Sequence, residues 1–287
     1  MSAGQNHIVS PFDHTPVALT IAGSDSGGGA GIQADLKSFS ARGVFGTSAI
    51  TAITAQNTLA VTAIQAIDLP VVAAQIKAVL DDIHPHAIKI GMLADSGVIK
   101  TVVEALKDYH GPVVLDPVMI AKSGDALLQD DSVDTLSELL LPRATLLTPN
   151  LPEAARLLGT DPAYDLLDAV EQGKQLLDKG PAAILMKGGH ARGPICRDVL
   201  ITRDAEPLVL EVDRIDTKNT HGTGCSLSAS IAAELAKGKP TLEAVKTAHS
   251  WLHEAIVRAD SLTIGTGHGP VHHFHEFWND DRKGGAA

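Results

Sequence analysis

Two glycine-rich segments are the parts of this 287-residue chain whose residue types could do chemistry. The second of them, residues 219–225 (NTHGTGC), precedes a helical pattern over residues 226–236. A glycine-rich turn that opens a helix directs several unpaired N–H groups and the positive end of the helix dipole towards one point. The segment therefore predicts an anion site, which in phosphoryl transfer could hold the charge on the moving group. A plain helix start with flexible glycines is the alternative.

Two common nucleotide-binding motifs are missing from the sequence. Neither the phosphate loop G-x-x-x-x-G-K-[ST] nor the kinase catalytic loop H-R-D occurs. The phosphate-loop enzymes and the protein kinases are therefore excluded as classes.

The first glycine-rich segment, residues 23–31 (GSDSGGGAG), lies where a strand pattern becomes a helix pattern. Its end, continued to residue 34, fits the dinucleotide fingerprint G-x-G-x-x-A. That fingerprint requires an acidic residue at the end of the next strand, but residues 47–55 contain no carboxylate and are followed by Gln56. Three interpretations stay open: a tight turn with close helix packing, a Rossmann cofactor site, or a loop whose backbone approaches another small ligand.

Short apolar runs alternate with amphipathic segments along most of the chain. Strand patterns cover residues 17–23, 87–91, 112–116, 144–148 and 182–186, and helix patterns cover residues 32–39, 98–106, 133–141, 152–158 and 166–177. This alternation predicts an α/β fold, with a mostly parallel central sheet and helices on both faces. Two stretches break it and are predicted as small additional β-strand pairs: residues 47–55 with 61–67, and 198–202 with 208–212.

Composition narrows the classes of partner. With 23 Lys and Arg against 34 Asp and Glu, the net charge is -11, and only 3% of the residues are aromatic. We therefore expect no nucleic acid and no membrane as partners. Two cysteines and no signal-peptide or membrane-spanning pattern favour a cytoplasmic protein. We expect one domain over residues 16–278 between flexible ends at residues 1–15 and 279–287.

Several ordered segments together make the sequence recognisable. They are residues 18–25 (ALTIAGSD), 28–37 (GGAGIQADLK), 54–58 (TAQNT), 89–93 (KIGML), 115–119 (LDPVM), 148–154 (TPNLPEA), 186–190 (MKGGH), 219–225 (NTHGTGC) and 269–275 (GPVHHFH). The chain resembles the ribokinase-like superfamily of small-molecule kinases, and within it the hydroxymethylpyrimidine/phosphomethylpyrimidine kinase family of thiamine biosynthesis. The resemblance runs from about residue 16 to residue 278, which makes it far more specific than either glycine loop alone.

The resemblance implies a ribokinase-like fold and a kinase that uses ATP and Mg²⁺. It implies phosphorylation of 4-amino-5-hydroxymethyl-2-methylpyrimidine to the monophosphate, then of the monophosphate to the diphosphate, and it suggests a homodimer. A pyridoxal kinase, or an enzyme that accepts both substrates, is the nearest alternative. A binding or sensory protein that lost its chemistry is a second, and a Rossmann oxidoreductase, disfavoured by the missing ribose carboxylate, is a third.

Five residues are assigned to the substrate. Gln56 matches the family's pyrimidine-binding glutamine, and its carboxamide offers a donor beside an acceptor, which complements a 4-aminopyrimidine edge. Gly23, Met92 and Val118 align with residues that line the pyrimidine pocket. Asp25 belongs to the same loop as Gly23. The alternatives are a polar turn residue for Gln56, ordinary core for Met92 and Val118, and a helix cap for Asp25.

Four residues are assigned to the nucleotide and its metal. Asn150 and Glu153 match the superfamily's N-x-x-E element, which is linked to magnesium and phosphate; a helix cap is the alternative. Asp116 ends a strand pattern, and we expect it to bind the hydrated metal with Glu153. Lys187 is expected to neutralise the transferring phosphate, with a solvated lysine as the alternative.

The transfer itself is assigned to the second glycine loop. Amides of Gly222, Thr223 and Gly224 are expected to hold the phosphoryl group. Cys225 stands where sugar-phosphorylating relatives have an aspartate. A thiol at a helix N-terminus can have a lowered pKa, so a thiolate could accept the hydroxyl proton; positioning of the substrate, or no role, are the alternatives. Gly27 replaces the serine usual in relatives, so no contact is assigned to it.

Overall fold

The computed structural model describes residues 15–120, 128–129, 131–189 and 193–278. The predicted flexible ends therefore lie outside the described residues, apart from Thr15. The strands are β1 (Val17–Asp25), β2 (Phe45–Gln56), β3 (Val61–Ala66), β4 (Ala87–Ile90), β5 (Val113–Leu115), β6 (Leu146–Leu147), β7 (Ala183–Lys187), β8 (Ile195–Thr202) and β9 (Leu208–Asp213). The α-helices are α1 (Gly31–Ala41), α2 (Leu69–Asp82), α3 (Ser96–Ala105), α4 (Ser132–Leu139), α5 (Leu151–Leu158), α6 (Leu166–Asp178), α7 (Thr223–Ala236) and α8 (Thr241–Val257).

All described strands belong to one sheet, in the order β3-β2-β1-β4-β5-β6-β7-β8-β9. Strands β2, β1, β4, β5, β6 and β7 run parallel, whereas β3 is antiparallel to β2, β8 to β7 and β9 to β8. The prediction of a mostly parallel α/β sheet is confirmed. The two predicted strand pairs are also present, and they extend the central sheet at its two edges. The single sheet supports the predicted single domain, which stays a prediction.

Helices cover both faces of the sheet, as predicted. Successive side chains of a strand point to opposite faces, so Leu19 lies in one apolar cluster and Ala18 in the other. The first cluster contains buried side chains of α2 to α6, and the second contains side chains of α1, α7 and α8. Strands β4 and β5 are buried along their whole length, which explains their continuous apolar runs.

Two helices and one helix start differ from the sequence analysis. Helices α2 and α8 were not predicted. A proline marks the start of each: Pro70 lies in the first turn of α2, and Pro240 directly precedes α8. Helix α7 begins at Thr223, three residues earlier than predicted, after Gly222 in a left-handed conformation (φ +78°). The earlier start places Cys225 inside the first helical turn. None of the described helices has the length and hydropathy needed to span a membrane.

The parallel sheet gathers the predicted residues at one edge. Asp25 and Gln56 are the last residues of β1 and β2, and Lys187 is the last residue of β7. Asp116 follows β5 directly, and Asn150 caps α5 shortly after β6. The carboxyl ends of parallel strands share an edge, which is where ligands bind in α/β sheets of this kind.

Candidate functional site

Asp25 organises the first glycine-rich loop. Its Oδ1 accepts a hydrogen bond from the amide of Gly27 (2.8 Å), and its Oδ2 accepts from the amides of Gly29 (3.1 Å) and Ala30 (2.8 Å). The ring Nε2 of His221 also lies 2.8 Å from Oδ2. Burial alone would raise the pKa of Asp25, but these hydrogen bonds and the histidine hold it below its ordinary value. Both carboxylate oxygens therefore have protein donors. The amides that they bind precede α1, which has no side-chain cap, so the helix-cap alternative is wrong; contact with substrate stays a prediction.

The second glycine-rich loop packs directly against the first. A side chain at Gly222 would overlap the backbone carbonyl of Gly29, and a side chain at Gly29 would overlap the His221 ring. The His221 amide donates to the carbonyl of Gly269 (3.0 Å), which braces the loop from behind. Glycine at positions 29 and 222 is thus required for the two loops to meet.

Gln56 lies beside this junction and is half-buried. Its backbone is clamped by Ser26, whose hydroxyl donates to the Gln56 carbonyl (2.7 Å) and accepts from the Gln56 amide (2.8 Å). In the side chain, Nε2 lies 3.4 Å from Nε2 of His221, and Oε1 lies 3.2 Å from Oγ1 of Thr54. Residues of the turn after β2, together with His221 and His268, line a small cavity next to this carboxamide.

Two of the predicted pocket residues touch each other. A methyl group placed on Gly23 would lie 2.6 Å from Cε and 3.3 Å from Sδ of Met92, so the methionine side chain lies over the glycine. The Met92 carbonyl accepts a hydrogen bond from the Thr51 hydroxyl (2.7 Å), which fixes the loop after β4. Val118 is half-buried in the turn after β5, where its amide donates to the carbonyl of Asp116 (2.8 Å).

Asp116 and Lys187 form the central ion pair of the site. Nζ of Lys187 lies 2.8 Å from Oδ1 of Asp116, which also accepts from Thr148, while Oδ2 accepts from Ser228 (3.2 Å). Burial opposes ionisation of both groups, yet the charges of Lys187 and Lys89 keep the pKa of Asp116 low. The charge of Asp116 likewise outweighs burial and keeps the pKa of Lys187 above its ordinary value. Both groups are therefore charged at neutral pH.

Asn150 and Glu153 form a reciprocal capping box at the start of α5. Oδ1 of Asn150 accepts from the Glu153 amide, and Oε2 of Glu153 accepts from the Asn150 amide, both at 2.8 Å. Burial raises the pKa of Glu153 to about 7, and the neighbouring charge of Lys187 only partly offsets it. The capping alternative is thus present in the structure, and it holds the Glu153 carboxyl next to Lys187.

Gly224 brings the second loop to this ion pair. A methyl group on Gly224 would lie 3.3 Å from Nζ of Lys187 and 3.7 Å from Oδ2 of Asp116. The first amides of α7 have no carbonyl partner within the helix, because the helical ladder starts with Ser226 donating to Gly222 (2.8 Å). The space beside Gly224 therefore adjoins the N-terminus of α7 and the Lys187 ammonium, which both favour an anion, and also the Asp116 carboxylate, whose charge is paired with Lys187. The Thr223 amide itself donates to the carbonyl of Thr220 (3.3 Å).

Comparisons with known proteins decide the family. The family model described as phosphomethylpyrimidine kinase matches residues 25–272. The chain is 52% identical over 267 residues to a hydroxymethylpyrimidine/phosphomethylpyrimidine kinase of Rhizobium meliloti, covering 93% of this chain and 100% of the relative. The chain belongs to this kinase family.

Solved structures agree with the family and with its ribokinase-like fold. An ADP complex of Bacillus subtilis pyridoxal kinase superposes with a TM-score of 0.85 at 37% identity and covers 93% of this chain and 100% of its own. Phosphomethylpyrimidine kinase of Clostridium difficile gives a TM-score of 0.74 at 43% identity and covers 84% of this chain and 99% of its own. The protein is therefore a kinase of this family, and the solved structures that it resembles include pyridoxal kinases.

The structure corrects the expected acidity of Cys225. Burial raises the pKa of this thiol to about 11, and the charges of Asp35 and Asp116 add to that effect, although Lys89 opposes it. The helix N-terminus alone would have lowered the pKa. The raised pKa disfavours the thiolate alternative, whereas substrate positioning and a cysteine without a function both stay open.

A buried ion pair lies beneath the loops, and the sequence analysis missed it. Nζ of Lys89, within β4, lies 2.9 and 2.8 Å from the two carboxylate oxygens of Asp35 in α1, and the Thr20 hydroxyl donates to the same carboxylate (2.6 Å). Both charged side chains are fully buried. A lysine inside an otherwise apolar strand was the available signal, because such a charge needs a partner.

The predicted metal ligands offer oxygen atoms of the kind Mg²⁺ prefers. Within residues 15–120, 128–129, 131–189 and 193–278, no group of three or more His, Cys, Asp or Glu side chains is placed to hold a metal. Mg²⁺ in kinases is held by one or two carboxylates, substrate phosphates and water. Asp116 and Glu153 flank Lys187 at the sheet edge and fit such a partly hydrated ion.

Proposed function

We propose that this kinase transfers the γ-phosphate of ATP to the hydroxymethyl oxygen of 4-amino-5-hydroxymethyl-2-methylpyrimidine, and then to the phosphate of the product. The observation that carries the proposal is the contact between the two glycine-rich loops at one edge of the sheet. Gln56 lies beside this contact, next to His221 of the second loop. The names of the relatives state both kinase activities. In the first step the hydroxyl oxygen bonds to phosphorus, the bond to ADP breaks, and the hydroxyl proton is released.

The pyrimidine is proposed to lie between the first loop, Met92 and Gln56, with its hydroxymethyl group directed at the second loop. The apolar side chain of Met92 lies over Gly23, and we expect the ring to pack against it. ATP is proposed to lie across the strand ends, an assignment supported by the ADP complex of the Bacillus subtilis neighbour. Its γ-phosphate would sit among the amides of residues 222–225 and Lys187.

Mg²⁺ is proposed to be held through water by Asp116 and Glu153, with Asn150 beside them. The ion would supply positive charge to the nucleotide phosphates when bound. The chain's own part is to hold these carboxylates: Lys187 and Ser228 fix Asp116, and the capping box fixes Glu153.

Replacing Gln56 with alanine tests the substrate assignment. We expect KM for the hydroxymethylpyrimidine to rise about 10- to 100-fold, because a bidentate contact to a base edge contributes about 1–3 kcal/mol, while KM for ATP changes less than about threefold. Steady-state kinetics with each substrate varied in turn measure both constants. Gln65→Ala, on exposed β3, is the matched control and leaves both constants unchanged. Equal losses for the two substrates would contradict the assignment.

Two substitutions at Cys225 separate its possible functions. Since the pKa of the thiol is about 11, we expect Cys225→Ser, which also carries a neutral O–H, to keep kcat within about fivefold. Cys225→Ala is expected to lower kcat by about 10- to 100-fold, the range of a lost positioning contact. Rapid-quench or coupled assays from pH 6 to 9 measure the rates. A serine variant as impaired as alanine would instead indicate a thiolate base.

Pyridoxal phosphorylation is the second candidate activity. It is favoured by the high structural similarity to the pyridoxal kinase of Bacillus subtilis. Comparing kcat/KM for pyridoxal and for the hydroxymethylpyrimidine under identical conditions decides between one substrate and both. An absence of ATP consumption with either compound would instead favour a binding protein without chemistry.

We further propose that the kinase is a cytoplasmic homodimer. Edge strand β3 is exposed over nearly its whole length. Apolar side chains of this hairpin, Phe45, Ile53, Leu59 and Ile64, are between 48% and 65% exposed. A second copy could cover such a surface, and both cysteines are free, as a reducing compartment would keep them.

A further inference from the structure

His221 connects the two glycine loops with the carboxamide of Gln56, and no function has so far been assigned to it. It is 7% exposed. Gly29 packs against its ring, and the carbonyl of Gly269 accepts a hydrogen bond from its backbone amide. A single ring atom, Nε2, faces both Asp25 Oδ2 (2.8 Å) and the Gln56 side chain (3.4 Å). One proton on that atom therefore affects two neighbours.

The hydrogen bonds of Asp25 fix that proton. Oδ2 already accepts from the amides of Gly29 and Ala30, and the low pKa of the carboxyl keeps it ionised. An ionised carboxylate only accepts hydrogen bonds. His221 must therefore carry hydrogen on Nε2. That single hydrogen donates to Asp25, and Gln56, 3.4 Å away, receives only the weaker branch of a three-centre bond, which still favours oxygen over nitrogen at that end of the carboxamide.

Thr54 fixes the other end of the carboxamide. Its hydroxyl donates to the carbonyl of Ser24 (2.8 Å), so its single proton is used and its oxygen can only accept from Gln56, 3.2 Å away. The two ends of a carboxamide have the same shape and are assigned from their hydrogen bonds. Proton counting therefore turns the amide over: its oxygen faces the His221 N–H, and its nitrogen faces Thr54.

This orientation leaves the carboxamide with one N–H on the Thr54 side and one lone pair on the His221 side. A 4-aminopyrimidine matches it with its ring nitrogen towards the N–H and its amine towards the oxygen. A 4-oxo analogue carries the reverse pattern. It could pair only with its ring turned over, which moves the 5-hydroxymethyl group away from the second loop.

We propose that His221 is a positioning residue for substrate specificity: held by Asp25, it locks the Gln56 carboxamide in the orientation that selects a 4-amino over a 4-oxo pyrimidine. This inference rests on the proposed function. Loss of the ring N–H leaves Thr54 as the only group that orients the amide. The reversed orientation then becomes accessible, because the Thr54 hydroxyl can turn from Ser24 and donate to the amide oxygen. Discrimination between the two pyrimidines is the property that changes.

The test compares His221→Met, which removes the donor, with His221→Gln, which is similar in shape and keeps an N–H near the position of Nε2. Substrates are 4-amino-5-hydroxymethyl-2-methylpyrimidine and 5-hydroxymethyl-2-methylpyrimidin-4-one. We expect the ratio of the two kcat/KM values to fall about tenfold or more in His221→Met and to stay within about threefold in His221→Gln, since base-edge pairing discriminates by about 10- to 100-fold. KM for ATP should change less than about threefold in both.

Equal loss of kcat/KM for both pyrimidines in His221→Met would overturn the proposal and leave a purely structural histidine. Should His221→Met not fold, His221→Leu removes the donor in the same way, and the same fall in the ratio is expected. An unchanged ratio in that variant also overturns the proposal. Wild-type protein that does not phosphorylate the 4-amino compound would instead refute the proposed function.

Discussion

Lys187→Met should lower kcat by about 10²- to 10³-fold, the largest loss of activity that we expect from a single side chain. Nζ of Lys187 lies between Asp116 and the open space at Gly224, where the transferring phosphoryl group is proposed to lie. Phosphoryl transfer depends chiefly on positioning and on charge stabilisation in a site prepared in advance. Steady-state assays with saturating pyrimidine and ATP measure this loss.

The same substitution also leaves the Asp116 carboxylate without its partner, so a drop in activity could reflect unfolding. Breaking a buried pair costs about 3–5 kcal/mol, which urea unfolding would detect. The double variant Lys187→Met with Asp116→Asn removes both charges; we expect it to recover part of the unfolding free energy and none of the activity. Lys77→Met breaks an exposed pair with Asp81 and serves as control, with unchanged kcat. Activity above one tenth of wild type in Lys187→Met would remove this lysine from the transfer step.

Gly222→Ala should destabilise the protein by about 2–5 kcal/mol and lower kcat/KM by about 100-fold. A left-handed conformation costs a non-glycine residue about 1–2 kcal/mol, and overlap of the new methyl group with the Gly29 carbonyl adds about 1–3 kcal/mol. Relief of the overlap requires the two glycine loops to move apart. Displacements of about 1 Å in such a site can cost about 100-fold in rate.

Gly238→Ala provides the matched control at the other end of α7. Gly238 also has a left-handed φ, +80°, but no atom lies within 4 Å of the position of its side chain. We expect only the conformational cost of about 1–2 kcal/mol there, with unchanged kinetics. Chemical denaturation and kinetics of both variants separate backbone strain from loop separation. If Gly222→Ala were no worse than Gly238→Ala, the proposed dependence on loop contact would be wrong.

The sequence predicted most of the elements, but not α2 and α8, and the edge of the sheet where the site lies, because both follow from local patterns. Alternating apolar runs predicted the parallel strands, and the turn-rich gaps predicted both strand pairs. Residues at the ends of those strands, such as Gln56 and Lys187, then had to lie together at one edge. Their contacts with substrate and nucleotide stay predictions.

Long-range contacts account for what could not be predicted. No local pattern shows that Lys89 would pair with Asp35, or that Asp25 would bind His221. The thiolate alternative for Cys225 has the same limit: the helix N-terminus is visible in the sequence, whereas the burial that raises the pKa of the thiol is visible only in the fold. The position of the two strand pairs at the edges of the sheet was not predicted, because a sequence pattern indicates the pairing within a hairpin but not the strand that lies beside it.

The bond between Asp25 and His221 joins residues 196 positions apart, and the His221 amide in turn needs Gly269. Contacts of such wide separation form late, because a long loop must close first. A growing polypeptide on the ribosome can form the early strands. The contact between the two glycine-rich loops is complete only after Gly269, in the last tenth of the chain, has emerged. A chain truncated before Gly269 therefore lacks the brace for His221 and leaves the two glycine-rich loops exposed. We expect proteases to degrade it, and we expect it not to contribute to thiamine biosynthesis.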